Sequence, residues 1–197
     1  MKHIKRHRCL LPAFFALIFV STMVWAAGSS IGDDFTERRI TTGAKIFRAL
    51  LAADVDIAQK VNSDGKLRLC LLYLNDAGKA EIAAATLRNR DDTRIRNFEV
   101  DLEILPYSGC VGKNAKGLAG IFLTQALSDE QLKTLMECAK TNRIVVFSPL
   151  EGDVRRGVHG GIAVEARVRP YLNMKALHDS HLRLKSFFMR VAKPYED

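Results

Sequence analysis

Leu67 to Tyr73 is apolar at every position except Arg68. A run that short and that continuous predicts a strand covered on both faces. Leu118 to Leu123 and Ile144 to Phe147 carry the same signature. Glu99 to Leu105 differs, because Glu99, Asp101 and Glu103 alternate with Val100, Leu102 and Ile104. Alternate side chains of a strand leave on opposite faces, so this strand has one acidic and one apolar face and belongs, half-exposed, at a sheet edge. Ile162 to Glu165 and Val168 to Leu172 predict a hairpin around Ala166-Arg167, with Pro170 placing its second arm at an edge or bulge.

Between these strands the period changes to that of a helix. From Thr36, the residues Ile40, Ala44, Phe47, Leu50 and Leu51 recur at three- and four-residue spacing. Asn75 to Gly78 can cap an alanine-rich helix over 77–89, and Ser128 with Gln131 forms a capping box ahead of Leu132, Leu135, Met136 and Ala139. Asn173 caps a last helix whose stripe is Met174, Leu177, His181, Leu184, Phe188 and Val191, ended by Pro194. Glycine-bearing loops are expected over 106–120 and 151–161. Strands alternating with helices predict an α/β fold: a single layered domain over 36–197, with a mixed, mostly parallel sheet flanked by helices and a C-terminal hairpin-plus-helix.

The first residues follow another logic. Lys2, Lys5, Arg6 and Arg8 precede an apolar stretch from Cys9 to Val24, and Val24-Trp25-Ala26 leads into Ala27. A basic end, a short apolar core and a small residue before the cut describe a secretory signal over 1–26. The core falls short of the ~20 residues that span a bilayer comfortably, so cleavage after Ala26 is expected over retention as an anchor. Residues 27–35, with Gly28, Ser29, Ser30 and Gly32, read as a flexible leader.

Charge changes meaning once that segment is set apart. The 197-residue chain holds 30 Lys and Arg against 22 Asp and Glu, a formal +8. Four of the basic residues and none of the acids fall within 1–26, which leaves +4 on the remainder. Nucleic acid as a partner loses its main support. Three cysteines remain, Cys70, Cys110 and Cys138. An odd count leaves one thiol over if a pair oxidises; the alternative is three reduced, buried thiols.

Candidate chemistry is sparse. Gly112 and Gly117 have phosphate-loop spacing, but Leu118 and Ala119 stand where Lys and Ser or Thr are required. His178 and His181 lie three apart, short of the ligands zinc needs. Ser108, Ser128 and Ser148 lack a nucleophile-elbow context, and no Cys-x-x-Cys occurs. Glu99, Asp101 and Glu103 read as a charged face that keeps an edge from pairing, in preference to a cation site. Enzymatic activity, cofactors and a metal are therefore not expected. The loop Glu151–Gly161 is the strongest binding candidate: Arg155 and Arg156 can grip an anion or an acidic partner, with His159, Gly160 and Gly161 beside them. The competing reading is a solvated connection whose glycines permit tight turns.

Several of these segments, in order, resemble the YfiR-like family of exported bacterial proteins. Leu67 to Tyr73 with Cys70 is similar to the family's first strand, Leu118 to Thr124 to its central strand, and Ile144 to Ser148 to the next. Gly160-Gly161-Ile162-Ala163-Val164 is similar to its Gly-Gly strand opening, and Val168 to Asn173 with Leu182 to Ala192 to its closing segment. Asp54 to Ile57 stands where the family often shows Trp-Pro, and Cys110 lies earlier than the family's second cysteine. The resemblance implies a Cys70–Cys110 disulfide. Closing that loop would constrain the unfolded chain by about 4 kcal/mol. It also implies a periplasmic, non-enzymatic regulator that docks on the sensor domain of an inner-membrane signalling protein, a diguanylate cyclase in the best-known case. The alternative from a different class is a periplasmic protein that binds a small anion or metal. An exposed edge strand and a Pro-bearing hairpin leave homodimerisation open.

Overall fold

The computed structural model describes residues 29–88 and 93–196, with side chains from residue 34 onward. The segment expected to be an export signal lies outside the described residues. The chain divides into two units, Met1–Thr36 and Glu37–Asp197. The sheet, its core and the cavities belong to the second.

Helix α1 spans Ser29–Ala53. Residues 29–35, expected to be a leader, are therefore helical; their glycine and serine lower helix propensity by under about 1 kcal/mol each, a weak preference. Strand β1 is Lys66–Tyr73, α2 is Gly78–Arg88, and β2 (Arg94–Ile95) and β3 (Phe98–Pro106) form a tight hairpin. Next come β4 (Leu118–Leu123), α3 (Asp129–Asn142) and β5 (Val145–Phe147). The chain closes with β6 (Gly160–Val164), β7 (Val168–Asn173), α4 (Met174–Asp179), α5 (Ser186–Val191) and β8 (Lys193–Tyr195).

The eight strands make one sheet in the order β2-β3-β1-β4-β5-β6-β7-β8. Pairing is parallel from β3 through β6 and again between β7 and β8; the β2–β3 and β6–β7 hairpins are antiparallel. The protein is thus an α/β domain with a mixed, mostly parallel sheet flanked by helices. On one face, α1 sets Phe47, Leu50 and Leu51 over Leu69, Leu71, Phe122 and Phe147. The rings of Phe47, Phe122 and Phe147 lie mutually 5.6–5.8 Å apart. On the other face, Leu132, Leu135 and Ala139 of α3 cover Leu72, Ile121, Leu123, Ile144 and Val146. β1 is nearly all apolar because it is covered on both sides. Cys70 of β1 is joined by a disulfide to Cys110, which follows a 3-10 turn after β3, with Cα atoms 6.5 Å apart.

Two expectations about the sheet edges change. β3 is second from the edge, although β2 shields only Phe98 and Glu99 of it. Its acids do not converge on a cation: Glu103 takes both Nε and Nη2 of Arg68, at 2.6 and 3.1 Å. Glu99 faces Lys66 and Arg94. Pro170 pairs with Ile162 one residue short of the part of β7 that β8 covers, so β8 is the true edge.

The last helix is the largest departure. It breaks after Asp179, and His181 adopts φ +52°. The backbone that follows bonds to the end of α1 instead of to itself: Val55 N donates to Arg183 O at 2.8 Å and Lys185 N to Ala53 O at 2.9 Å. Pro194, expected to stop a helix, sits inside β8 opposite Leu172.

Candidate functional site

The loop after β5 is built from its own polar residues. The hydroxyl of buried Ser148 donates to Oδ2 of buried Asp153 at 2.6 Å and accepts from Leu150 N at 3.1 Å. Gly152 and Gly157 hold φ of +88° and +105°, which glycine alone adopts without cost. Asn173 holds the loop from the far side: Nδ2 donates to Val154 O at 2.8 Å, while Oδ1 caps α4 by accepting from Ala176 N at 2.8 Å.

Against this frame the five expected binding residues separate. Arg156 is a buckle within the protein. Its guanidinium donates to Asp153 Oδ1 at 2.8 Å, to Leu127 O at 2.9 Å and to Asp129 Oδ1 at 2.7 Å, tying the loop to the start of α3. The hydrogen bond to Asp129 raises its pKa further. His159 is fully buried. Val146 N donates to its Nδ1 at 3.0 Å, so Nδ1 carries no proton and Nε2–H donates to Ser180 Oγ at 2.8 Å. Burial, and secondarily the charge of Lys60, push its pKa down to about 3. Gly160 and Gly161 lie in β6, where packing excludes a side chain. A Cβ on Gly160 would sit 2.8 Å from Leu50 Cδ2, and one on Gly161 2.6 Å from Val154 Cγ2 and 2.8 Å from Ser148 O. Only Arg155 is both exposed and without a side-chain partner among the described residues. His178 and His181 do not share a helix face, since α4 ends between them.

Arg155 borders a cavity of about 600 Å³ between α3, this loop and α4. Leu132, Met136 and Ala176 supply apolar surface, and Lys133, Lys140, Arg155 and Lys175 supply positive charge. Lys175 holds Asp179 at 2.8 Å and lowers its pKa by that bond. Glu137 and Asp129 are the remaining acids, and Asp129 is taken by Arg156. The groove therefore presents a surplus of cations over a short apolar floor. Lys133, Glu137 and Lys140 share one face of α3 at i, i+4 and i+7; on sequence alone such a face reads as solvated, and only its apposition to α4 makes it a wall.

The usual ligand position in such a sheet is closed. The strand order reverses at β1, so the crevice beyond the carboxyl ends of β1 and β4 is the switch point where open α/β sheets commonly bind ligands. Here Gln125 Oε1 accepts from Leu74 N at 2.5 Å and Asn75 N at 3.0 Å, and Thr124 bonds Leu72 O through both its amide and its hydroxyl. These bonds stitch the two loops together.

No protein family matches the chain, and no curated protein does. Among solved structures, the chain is similar to the ABC domain in complex with L-Trp from Streptococcus pneumonia, with 9% identity, a TM-score of 0.48, and coverage of 77% of this chain and 61% of that one. It is also similar to the ligand-free, open structure of a substrate-binding protein with adhesive properties from Clostridium difficile, with 14% identity, a TM-score of 0.46, and coverage of 72% and 59%. The chain spans about six-tenths of each of these proteins. Likeness this distant says nothing of function.

Proposed function

We propose that the chain is an exported, non-enzymatic binding protein whose α3–α4 groove takes a small organic anion. The observation that carries this reading is the groove itself. It has the volume of a small-molecule site and an apolar floor of Leu132, Met136 and Ala176. Lys133 and Arg155 on its rim have no ion pair among the described residues. A carboxylate or phosphate on an apolar body matches that surface. The Cys70–Cys110 disulfide supports an oxidising, extracytoplasmic location, with the periplasm as the expected compartment. Native mass spectrometry of protein isolated from the periplasm tests the reading. A co-purified anion is expected with the wild type and lost from a Lys133→Ala/Arg155→Ala variant; a ligand retained equally by both, or found with neither, refutes the groove.

A regulatory reading stands beside it, from the YfiR-like resemblance: docking on the periplasmic sensor domain of an inner-membrane signalling protein, a diguanylate cyclase included. What supports it here is an apolar pair on one face of α5, Phe187 and Val191, each more than half exposed. Ligand binding in the groove and docking through α5 are compatible, because they use different surfaces.

A further inference from the structure

A second cavity, of about 340 Å³, lies at the amino ends of the parallel strands, bounded by the residues ahead of β1, β4 and β5. Lys60 lines it with a side chain only 9% exposed, its Nζ 2.5 Å from Oδ2 of fully buried Asp54. The other carboxylate oxygen of Asp54 accepts from Asp56 N at 2.9 Å. Among the described residues, Asp54 is the one partner of Lys60 Nζ. An ammonium has three donors, and Asp54 lies against one side of it. A buried ion pair repays its desolvation only when the remaining protons also find acceptors, so this cavity is short of acceptors next to a buried cation. Burial lowers the pKa of Lys60 against the pull of Asp54, the same deficit seen from the proton's side.

Two further nitrogen-bearing side chains, a guanidinium and an imidazole, line the cavity, and both sit on costly backbone. Arg143 and His181 hold φ of +55° and +52°. Arg143 follows the last residue of α3, where glycine is the ordinary choice. A third residue of this kind, Arg96, is rewarded locally, since its guanidinium bonds Ala52 O and Asp54 O at the end of α1. Arg143 and His181 receive no such return; neither side chain makes a hydrogen bond among the described residues. Asp56, half-buried in the wall of the same cavity, is already held by both arms of Arg183 at 2.6 and 3.0 Å. The side chains of Arg143 and His181 are thus kept at a cost to the fold, beside an ammonium with donors left over once Asp54 has taken one.

We propose that this cavity is a second binding site, distinct from the α3–α4 groove, for a phosphate-type oxyanion held by Lys60, Arg143 and His181. Phosphate oxygens would complete the donors of Lys60 and take the forked guanidinium of Arg143. The inference stands apart from the groove reading. Its test is calorimetric titration of the purified protein with low-millimolar inorganic phosphate at fixed ionic strength. One-site binding is expected for the wild type and for the Lys133→Ala/Arg155→Ala groove variant. At least a tenfold loss is expected for Arg143→Gly/His181→Gly, which should unfold a few degrees higher than the wild type because glycine relieves both left-handed positions. Absence of binding to the wild type overturns the proposal. So does binding that survives in the glycine variant, and loss in the groove variant alone would assign the anion to the groove.

Discussion

His159 shows how one side chain can be fixed by two neighbours far away in the chain. A backbone N–H can only donate, so Val146 settles the tautomer, and Ser180 receives the remaining proton. Charging this ring would set a second N–H against Val146 N–H inside the core. Unfolded, the ring takes a proton near pH 6.5; folded, it does so only near pH 3. Between those values the unfolded chain binds more protons, so stability is complete above about pH 6.5 and falls as pH drops toward 3, by about 1.4 kcal/mol per unit. Urea midpoints measured at pH 7.5 and pH 5 should show this fall in the wild type. His159→Gln, which can still accept from Val146 and donate to Ser180, should show much less; equal falls in both would refute the assignment. None of this was readable beforehand, because the loop's polar residues carry the same letters whether they face solvent or each other. Arg156 read as a grip for an outside anion because its partners Leu127 and Asp129 lie too far along the chain to be connected with it, as does Ser180 with His159. Gly160 and Gly161 could be called glycines of close approach only once Leu50, Val154 and Ser148 were seen against them.

At the scale of elements, runs such as Leu67–Tyr73 and Leu118–Leu123 were legible because a strand between two helical layers has no solvent face to encode. The Ser128–Gln131 capping box was legible because both partners lie within one turn, and it forms in full. The 3-4-3-4-3 stripe from Met174 to Val191 misled for the converse reason. Leu184 fits that stripe, yet the backbone groups of residues 182–185 are worth more to the open end of α1 than to a continuing helix. β8 was invisible, since three residues containing proline carry no periodicity. Asn173 is where these elements meet: it ends β7, caps α4 and holds the 151–158 loop. Asn173→Ala removes the cap, worth about 1 kcal/mol, and leaves Val154 O without its donor. A loss of about 2–3 kcal/mol in chemical denaturation is expected, together with faster amide exchange at Val154 to Gly157. Asn173→Asp, which keeps the cap and loses the donor to Val154, should fall between; a loss no larger than that of an ordinary surface substitution would show that the loop is held elsewhere.

For the whole molecule, the two ends of the sheet are treated differently. The β8 end is three residues long and carries Lys193 and Pro194, features that discourage pairing with another copy. That weakens the case for a dimer built edge to edge there. The other end has only the two residues of β2 over β3, and there the fold adds a covalent clasp between β1 and the segment after β3. The Cys70–Cys110 bridge encloses α2 and the β2–β3 hairpin within a loop of sequence separation 40. On the chain-entropy account, closing such a loop removes about 4 kcal/mol worth of freedom from the unfolded state. Both cysteines are buried in the α3-side core, so reduction leaves two thiols in apolar packing and exposes little. The cost of reduction should therefore appear as a shift in the denaturation midpoint with the folded spectrum retained. It should also be uneven, because the strands from β4 to β7 lie outside the closed loop. Comparing the oxidised protein with the same protein in excess thiol, we expect a loss approaching 4 kcal/mol, with amide protection falling most in α2 and β3 and least in β5 and β6. Uniform loss of protection across the sheet would show instead that the bridge stabilises one cooperative unit, and an unchanged midpoint would show that packing alone holds the β3 end.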